Sequence, residues 1–363
     1  MKKKLAIVGA SFGQKPLFLK AKEMGIETHC FAWEKGAICK ELADHFYPIS
    51  IFEKEQILDV CRKIQIDGIC TMASELCVPT VCFVAEKMGL IGNNYEDSFI
   101  SISKYPMRQA FSQNGVKIPR FTLAGDDMDI TGFTYPLIVK PTDRGGSIGV
   151  VNVEKEEDLK DAIDHARELS YANEVVVEEL VTGSEVMAAY CISWKGKHHI
   201  ISINESKSLE ASHKKIAYHF PAKLDDETKV FSEVKKSLDA LNIKNGASEV
   251  ELIIAKDGNI FIIEVNPYLA GESMHLLVEL STGYDYIKGT INIALNTFEE
   301  PVLPINKCSG MCYLRNETEY LRPIIENSKN DPEIIEAVVF DKESHTGASG
   351  YLIYQSDRIK SWR

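Results

Sequence analysis

Apolar residues in the first hundred positions fall into two rhythms. LAIVG (5–9) is a short unbroken apolar run, as a strand buried on both faces requires, and ETHCFAW (27–33) and GICTM (68–72) repeat it. Between these runs the apolar positions return at helical spacing: over Pro16 to Met24, at Ile57, Val60, Cys61 and Ile64, and at Val81, Val84, Ala85 and Met88. Strand and helix in alternation predict a small parallel sheet covered on both faces. From Lys104 the pattern becomes a helix, GVKIPRF, the strand YPLIVKP, a glycine-rich loop and a charged helix from Glu156 to Leu169. Long strands dominate from Gly183 as far as Asn296. After PVLP (301–304) the remainder has the pattern of a small appended α+β unit.

One pair of long strands has a register with chemical consequences. ASEVELIIA and IFIIEVNP flank KDGN, and Asp257-Gly258 signals a tight two-residue turn. If Lys256 pairs with Asn259, facing residue numbers sum to 515, so Glu251 faces Glu264 and Glu249 faces Asn266 on one side of the ribbon. Facing Cβ atoms are then about 4.5–5.5 Å apart, and two bare carboxylates there repel by roughly 3 kcal/mol at an effective dielectric of about 20. A divalent cation between them turns repulsion into binding. Two carboxylates beside an amide carbonyl suit Mg²⁺, which usually completes its shell with substrate phosphates. A register slipped by one residue leaves two solvated strand carboxylates instead.

Composition narrows the choice. The chain has 363 residues, long enough for two or three subdomains rather than one core. A net charge of −12 argues against sequence-independent nucleic-acid binding. No run of 18 apolar residues occurs, and Met-Lys-Lys-Lys leads straight into a strand pattern, so neither a membrane span nor a signal peptide is expected. Nine scattered cysteines without a CxxC pair point to reduced thiols and a cytoplasmic location.

In YPLIVKPTDRGGSIGV, Pro141 ends the strand just after Lys140, leaving the ammonium beside a loop. Gly145, Gly146 and Gly149 let that loop bring backbone N–H groups close to an anion, and Ser147 adds a hydroxyl. The lysine precedes the glycines, so this is not GxxxxGK[ST], and GASFG (9–13) is not GxGxxG. In VVVEELVTGSEV, a strand end offers the alternating donors and acceptors that an adenine edge needs, with a carboxylate nearby for ribose hydroxyls. The same pattern also serves a plain strand–turn–strand.

Taken in order, Lys104, IVKPTDRGGSIGV, VVVEELVTGSE and EVELIIAKDGNIFIIEVNP resemble the ATP-grasp superfamily, nearest to its carboxylate–amine ligases and carbamoyl-phosphate-synthase-like members. The resemblance implies an α/β and α+β multidomain fold: an N-terminal Rossmann-like parallel-sheet domain (1–103), a two-part ATP-grasp domain (104–299, a glycine-rich lid over 104–182 and a metal-binding part over 183–299), and a small C-terminal α+β unit (300–363). It implies ATP and Mg²⁺ or Mn²⁺ as cofactors. Lys104 and Lys140 would meet the phosphates under Gly145, Gly146 and Ser147. Glu178, Glu179 and the Val181 backbone would meet adenine, Glu185 the ribose, and Glu251, Glu264 and Asn266 the metal.

One departure stands out. Where many members read Asn-Pro-Arg, this chain has Asn266-Pro267-Tyr268, and a tyrosine brings no positive charge. Arg144, grouped with Lys140 and Ser147 as the candidate catalytic set, is one replacement cation; Lys214 and Lys215 in SHKKIAYHFPAKL are others. With Tyr268 and Glu75, which lies beyond a strand's carboxyl end, these lysines are the candidate substrate contacts. His213 and His219 either assist there or are solvated loop residues, and His275 packs at a helix start. The implied activity joins a small-molecule carboxylate to an amine through an acyl phosphate, releasing ADP and phosphate, in a monomer or homodimer. The alternatives are a purine-pathway-like enzyme acting on a phosphoribosyl substrate or bicarbonate, and a non-catalytic nucleotide-binding subunit.

Overall fold

The structure, a computed structural model, describes residues 2–183, 186–209, 214–341, 344, 347–360 and 362. Strands β1 (Lys4–Val8), β2 (Glu27–Phe31), β3 (His45–Tyr47) and β4 (Gly68–Cys70) pair in parallel in the order β3-β2-β1-β4. Helices α1 (Lys15–Glu23), α2 (Lys54–Ile64) and α3 (Val78–Met88) cover it as the sequence pattern anticipates. Leu5 and Ile7 share a core with Leu17 and Phe18 of α1, while Ala6 and Val8 share another with Ile57, Cys61 and Val84. The central strand β1 is therefore apolar on both sides. Helix α4 (Tyr95–Ser101), whose N-cap Asn94 accepts from Asp97 N–H, leads into α5 (Lys104–Gln113).

The second sheet is antiparallel: β5 (Phe121–Leu123), β6 (Leu137–Pro141), β7 (Val151–Val153) and β8 (Val175–Glu179), in the order β5-β8-β6-β7. Alternation sorts its side chains. Leu137, Val139, Val175 and Val177 pack with α6 (Leu159–Leu169), and the intervening Ile138, Lys140 and Glu178 line a cleft on the other face.

The third sheet has eight strands, β9 (Met187–Trp194), β10 (Lys197–Ser208), β11 (Lys215–Phe220), β12 (Gly246–Ile254), β13 (Ile260–Asn266), β14 (Cys308–Leu314), β15 (Ile334–Val339) and β16 (Gly350–Ser356). Their order is β13-β12-β9-β10-β11-β14-β16-β15. The residues after 300 are thus not an appended unit with a sheet of its own, because β14 pairs directly with β11 and continues the same ladder. Helix α7 (Glu227–Ala240), with α5, packs on one face through Val230, Val234 and Phe111; α8 (Met274–Thr282) and α9 (Tyr286–Ala294) cover the other through Leu277, Val278 and Ile291.

The hairpin of β12 and β13 reaches the expected pairing by a different route. Its turn holds three residues, not two: Ala255 N–H donates to Asn259 O and Gly258 N–H to Ala255 O, both at 2.8 Å, with Gly258 at φ 77°. That turn sets Ile254 opposite Ile260 and Leu252 opposite Ile262, one residue out of step with the two-residue count. A bulge at Ile263 restores the missing residue, so Glu251 faces Glu264 and Glu249 faces Asn266 after all. Gly183 closes against the turn end of this hairpin through a bridge to Ala255. A Cβ there would stand 2.2 Å from Ile254 O. Gly183→Ala is expected to destabilise the fold by about 1–3 kcal/mol, read as a lower urea midpoint; an unchanged midpoint would contradict the close approach.

Candidate active site

Lys140 stands at the end of β6, diagonally across from Glu178 on β8, and the two meet at 2.8 Å. Glu178 is also held by Arg108 of α5, Nε to Oε1 at 2.8 Å, and both Arg108 and Glu178 are fully buried. Burial alone would raise the Glu178 pKa, but Arg108 and Lys140 outweigh it and bring the carboxyl down to about 2. The side chain expected beside adenine also fixes Lys140. Around it, Glu179 Oε1 accepts from Thr134 N–H at 2.8 Å, and Val181 lines the cleft.

Lys104, the first residue of α5, donates to Glu264 Oε1 and to the Arg144 carbonyl, each at 2.9 Å. It therefore ties the hairpin to the glycine-rich loop. Burial, then the facing Glu264, raises the Glu251 pKa, as expected of two carboxylates held close together. Asn266 donates its amide N–H to Glu249 Oε2 at 3.4 Å, which leaves the amide oxygen as a ligand beside the pair. Glu249 also accepts from Tyr190 OH at 2.9 Å; burial, then Glu251, pushes it up to about 7. All the donors around the facing pair are oxygens, a set that fits Mg²⁺ or Mn²⁺.

Three cavities meet at these carboxylates. A cleft of about 180 Å³ between the second and third sheets contains Lys104, Lys140, Val181, Glu251 and Glu264. A gap of about 90 Å³ follows, bounded by Glu75, Arg144, Gly145, Asn266 and Tyr268. Beyond it opens a chamber of about 930 Å³ that shares Glu251, Asn266 and Tyr268. The parallel sheet is fastened to its wall, since Ala73 N–H donates to Leu269 O at 2.9 Å just past Asn266. The loop 144–149 spans cleft and gap, with Gly146, Ser147 and Gly149 at positive φ.

The structure brings Lys104, Lys140, Arg144, Gly145, Gly146, Ser147, Val181, Glu251, Glu264, Asn266, Glu75 and Tyr268 around one continuous space. Other expectations change. Lys215 lines the narrow cleft, donating to Ser206 Oγ at 2.8 Å, rather than the wide chamber, and Lys214 is exposed. Arg144 rests its guanidinium over the Tyr171 ring at 4.3 Å. His219 is not a solvated loop residue: it is buried in β11 with Nδ1 2.9 Å from Tyr354 OH. His275 does sit at the start of α8, where it lines the chamber. Glu185 and His213 lie outside the described residues. Arg108 was missed, although its place four residues after Lys104 on one helical face was a legible signal. Away from the cleft, Glu27 Oε1 lies 3.1 Å from His29 Nε2 and 3.3 Å from His45 Nε2.

Comparison with known proteins agrees with this geometry. Residues 133–275 match the model of the ATP-grasp domain family. The chain is 26% identical over 260 residues to the D-alanine–D-alanine ligase of Geobacter sulfurreducens, covering 68% of this chain and 81% of that protein. It is 30% identical over 199 residues to the same enzyme of Trichlorobacter lovleyi, covering 52% and 63%. Among solved structures, the L-amino acid ligase from Bacillus licheniformis superposes with a TM-score of 0.80 at 23% identity, covering 98% of this chain and 94% of that one, a likeness of fold. Residues 133–275 of the chain thus carry an ATP-grasp domain. The chain's similarity over most of its length is to ATP-dependent carboxylate–amine ligases.

Glu178→Gln leaves two buried cations without their counter-charge, so a loss of about 3–5 kcal/mol is expected; thermal unfolding would measure it. Acid acts in two windows. Burial holds His219 and His275 down at about 4. Both take up protons more readily when unfolded, so stability falls as pH drops from about 6.5 to 4. The stability contributed by Glu178 is present above its unfolded pKa near 4.5 and is lost as pH falls toward 2. A melting temperature flat from pH 7 to 4 would contradict the first window.

Proposed function

We propose that this protein is an ATP-dependent carboxylate–amine ligase that activates its acid as an acyl phosphate and yields an amide, ADP and phosphate. The observation that carries the reading is the facing pair Glu251 and Glu264, gripped by Lys104, at the point where a narrow cleft opens into a wide chamber. A nucleotide fits the first and an organic substrate the second, with the transferred phosphoryl group between them.

A carboxylate is a poor electrophile, so phosphorylation must precede amine attack. In our assignment Lys104 and Lys140 receive the phosphates, and Arg108 with Glu178 holds Lys140 in register. Glu179 and the Val181 backbone border the base, and Glu251, Glu264 and Asn266 hold Mg²⁺ or Mn²⁺. The metal, when bound, neutralises charge on the phosphoryl group. The loop 144–149 covers the reacting atoms and keeps water from the acyl phosphate, and Arg144 leaves Tyr171 to stand where relatives carry an arginine after Asn-Pro.

Observations on the chamber weigh against the alternatives. A phosphoribosyl substrate calls for arginine or lysine around its phosphate. The described lining of the 930 Å³ chamber has Glu249, Glu251 and Glu272 but neither lysine nor arginine. Bicarbonate needs far less room. A sensing subunit has no use for an intact pair of metal carboxylates with two lysines.

A panel of carboxylic and amino acids, assayed for ADP release with hydroxylamine present, tests the reading: an acid-dependent hydroxamate is the expected product, and its absence throughout would overturn it. Glu264→Gln is expected to lower ATP turnover by at least about 10²-fold with the melting temperature near that of the unmodified protein. Normal ADP release from that variant would contradict the metal assignment.

A further inference from the structure

We infer that Glu272 and the tyrosines around it form a binding site for a substrate ammonium group, so that one reactant is an organic cation with an apolar body. This rests on the ligase reading for the reaction it serves, but on none of the groups assigned to nucleotide or metal.

Glu272 and Ser273 are two successive non-glycine residues in the left-handed region, at φ 49° and 62°, immediately before α8. L-residues adopt that backbone at a cost and seldom in succession, and such strain gathers where a side chain must be aimed. Here it presents the Glu272 carboxylate to the wide chamber. Tyr313 OH donates to Oε2 at 2.9 Å and Tyr218 OH to the same oxygen at 3.2 Å. Neither bond uses Oε1. The two rings meet edge-on, centroids 6.2 Å apart, and Phe340 and Tyr351 form a second aromatic pair in the same wall, at 5.8 Å.

A carboxylate fixed among aromatic faces attracts a cation twice, by charge and by the ring quadrupoles. An anion entering the chamber would face Glu249 and Glu272, with no lysine or arginine among its described lining residues. Met72, Met274, Met311 and Ile38 supply apolar surface for the rest of the ligand. The ammonium belongs either to the amine substrate or to the α-position of an amino-acid donor, and the chemistry of capture is the same.

Titration calorimetry with 2-phenylethylammonium and its neutral counterpart 2-phenylethanol tests the site without turnover. The unmodified protein is expected to bind the cation at least about 10-fold more tightly. Glu272→Gln keeps the side chain's size at a solvent-accessible position and is expected to erase that preference while leaving the Kd for ATP unchanged. Equal binding of both probes to the unmodified protein, or a preference that survives in Glu272→Gln, would overturn the inference. If every acid failed to release ADP but the preference held, the ligase reading would fall and the ammonium site would stand. Hydroxamate assays separate the two sources. A raised KM for L-phenylalanine, but not 3-phenylpropanoate, in Glu272→Gln assigns the ammonium to the acid. A change seen only with 2-phenylethylamine as nucleophile assigns it to the amine.

Discussion

Two carboxylates that face each other across a buried hairpin repel, and much of the site is arranged around that repulsion. Glu251 and Glu264, held face to face at this spacing, call for positive charge nearby. Lys104 supplies part of it, at 2.9 Å from Glu264. Because Lys104 opens α5, the charge requirement also fixes that helix against the third sheet. Because it also donates to the Arg144 carbonyl, the glycine-rich loop is drawn to the same point. One ammonium thus joins three elements that are far apart in sequence.

A second buried group works in parallel. Arg108 lies one turn beyond Lys104 and binds Glu178, which in turn binds Lys140. Helix α5 therefore touches both lysines, one directly and one through a carboxylate. Buried ion pairs add little net stability, since desolvation offsets most of their attraction. Their value here is geometric: Lys140 is set at a strand end with few rotamers open to it.

Much of this was legible in the sequence because strand alternation is simple. Apolar runs gave the parallel sheet, and Pro141 after Lys140 placed that ammonium at a strand end beside the glycine-rich loop. The Glu251–Glu264 pairing was obtained from a two-residue turn that does not exist; a longer turn and the bulge at Ile263 cancel each other. Two compensating one-residue offsets leave no trace in a pattern of apolar residues. The ion pair of Glu178 with Arg108 was not legible because Arg108 comes from a helix seventy residues earlier, and no local spacing reports a tertiary contact. The destination of β14 to β16 was hidden for the same reason: an amphipathic strand does not say which edge it will join.

That destination has a structural consequence. Strand β14 covers the side of β11 that would otherwise end the sheet, and β16 and β15 carry the border outward to a strand whose Ile335 and Val339 are exposed. A chain cut before Cys308 would leave the hydrogen-bonding groups of Lys215–Phe220 bare, and bare strand borders recruit other chains. The final fifty-odd residues therefore act as a selvedge as well as a wall of the chamber: shortening the protein from that end invites self-association as well as opening the chamber.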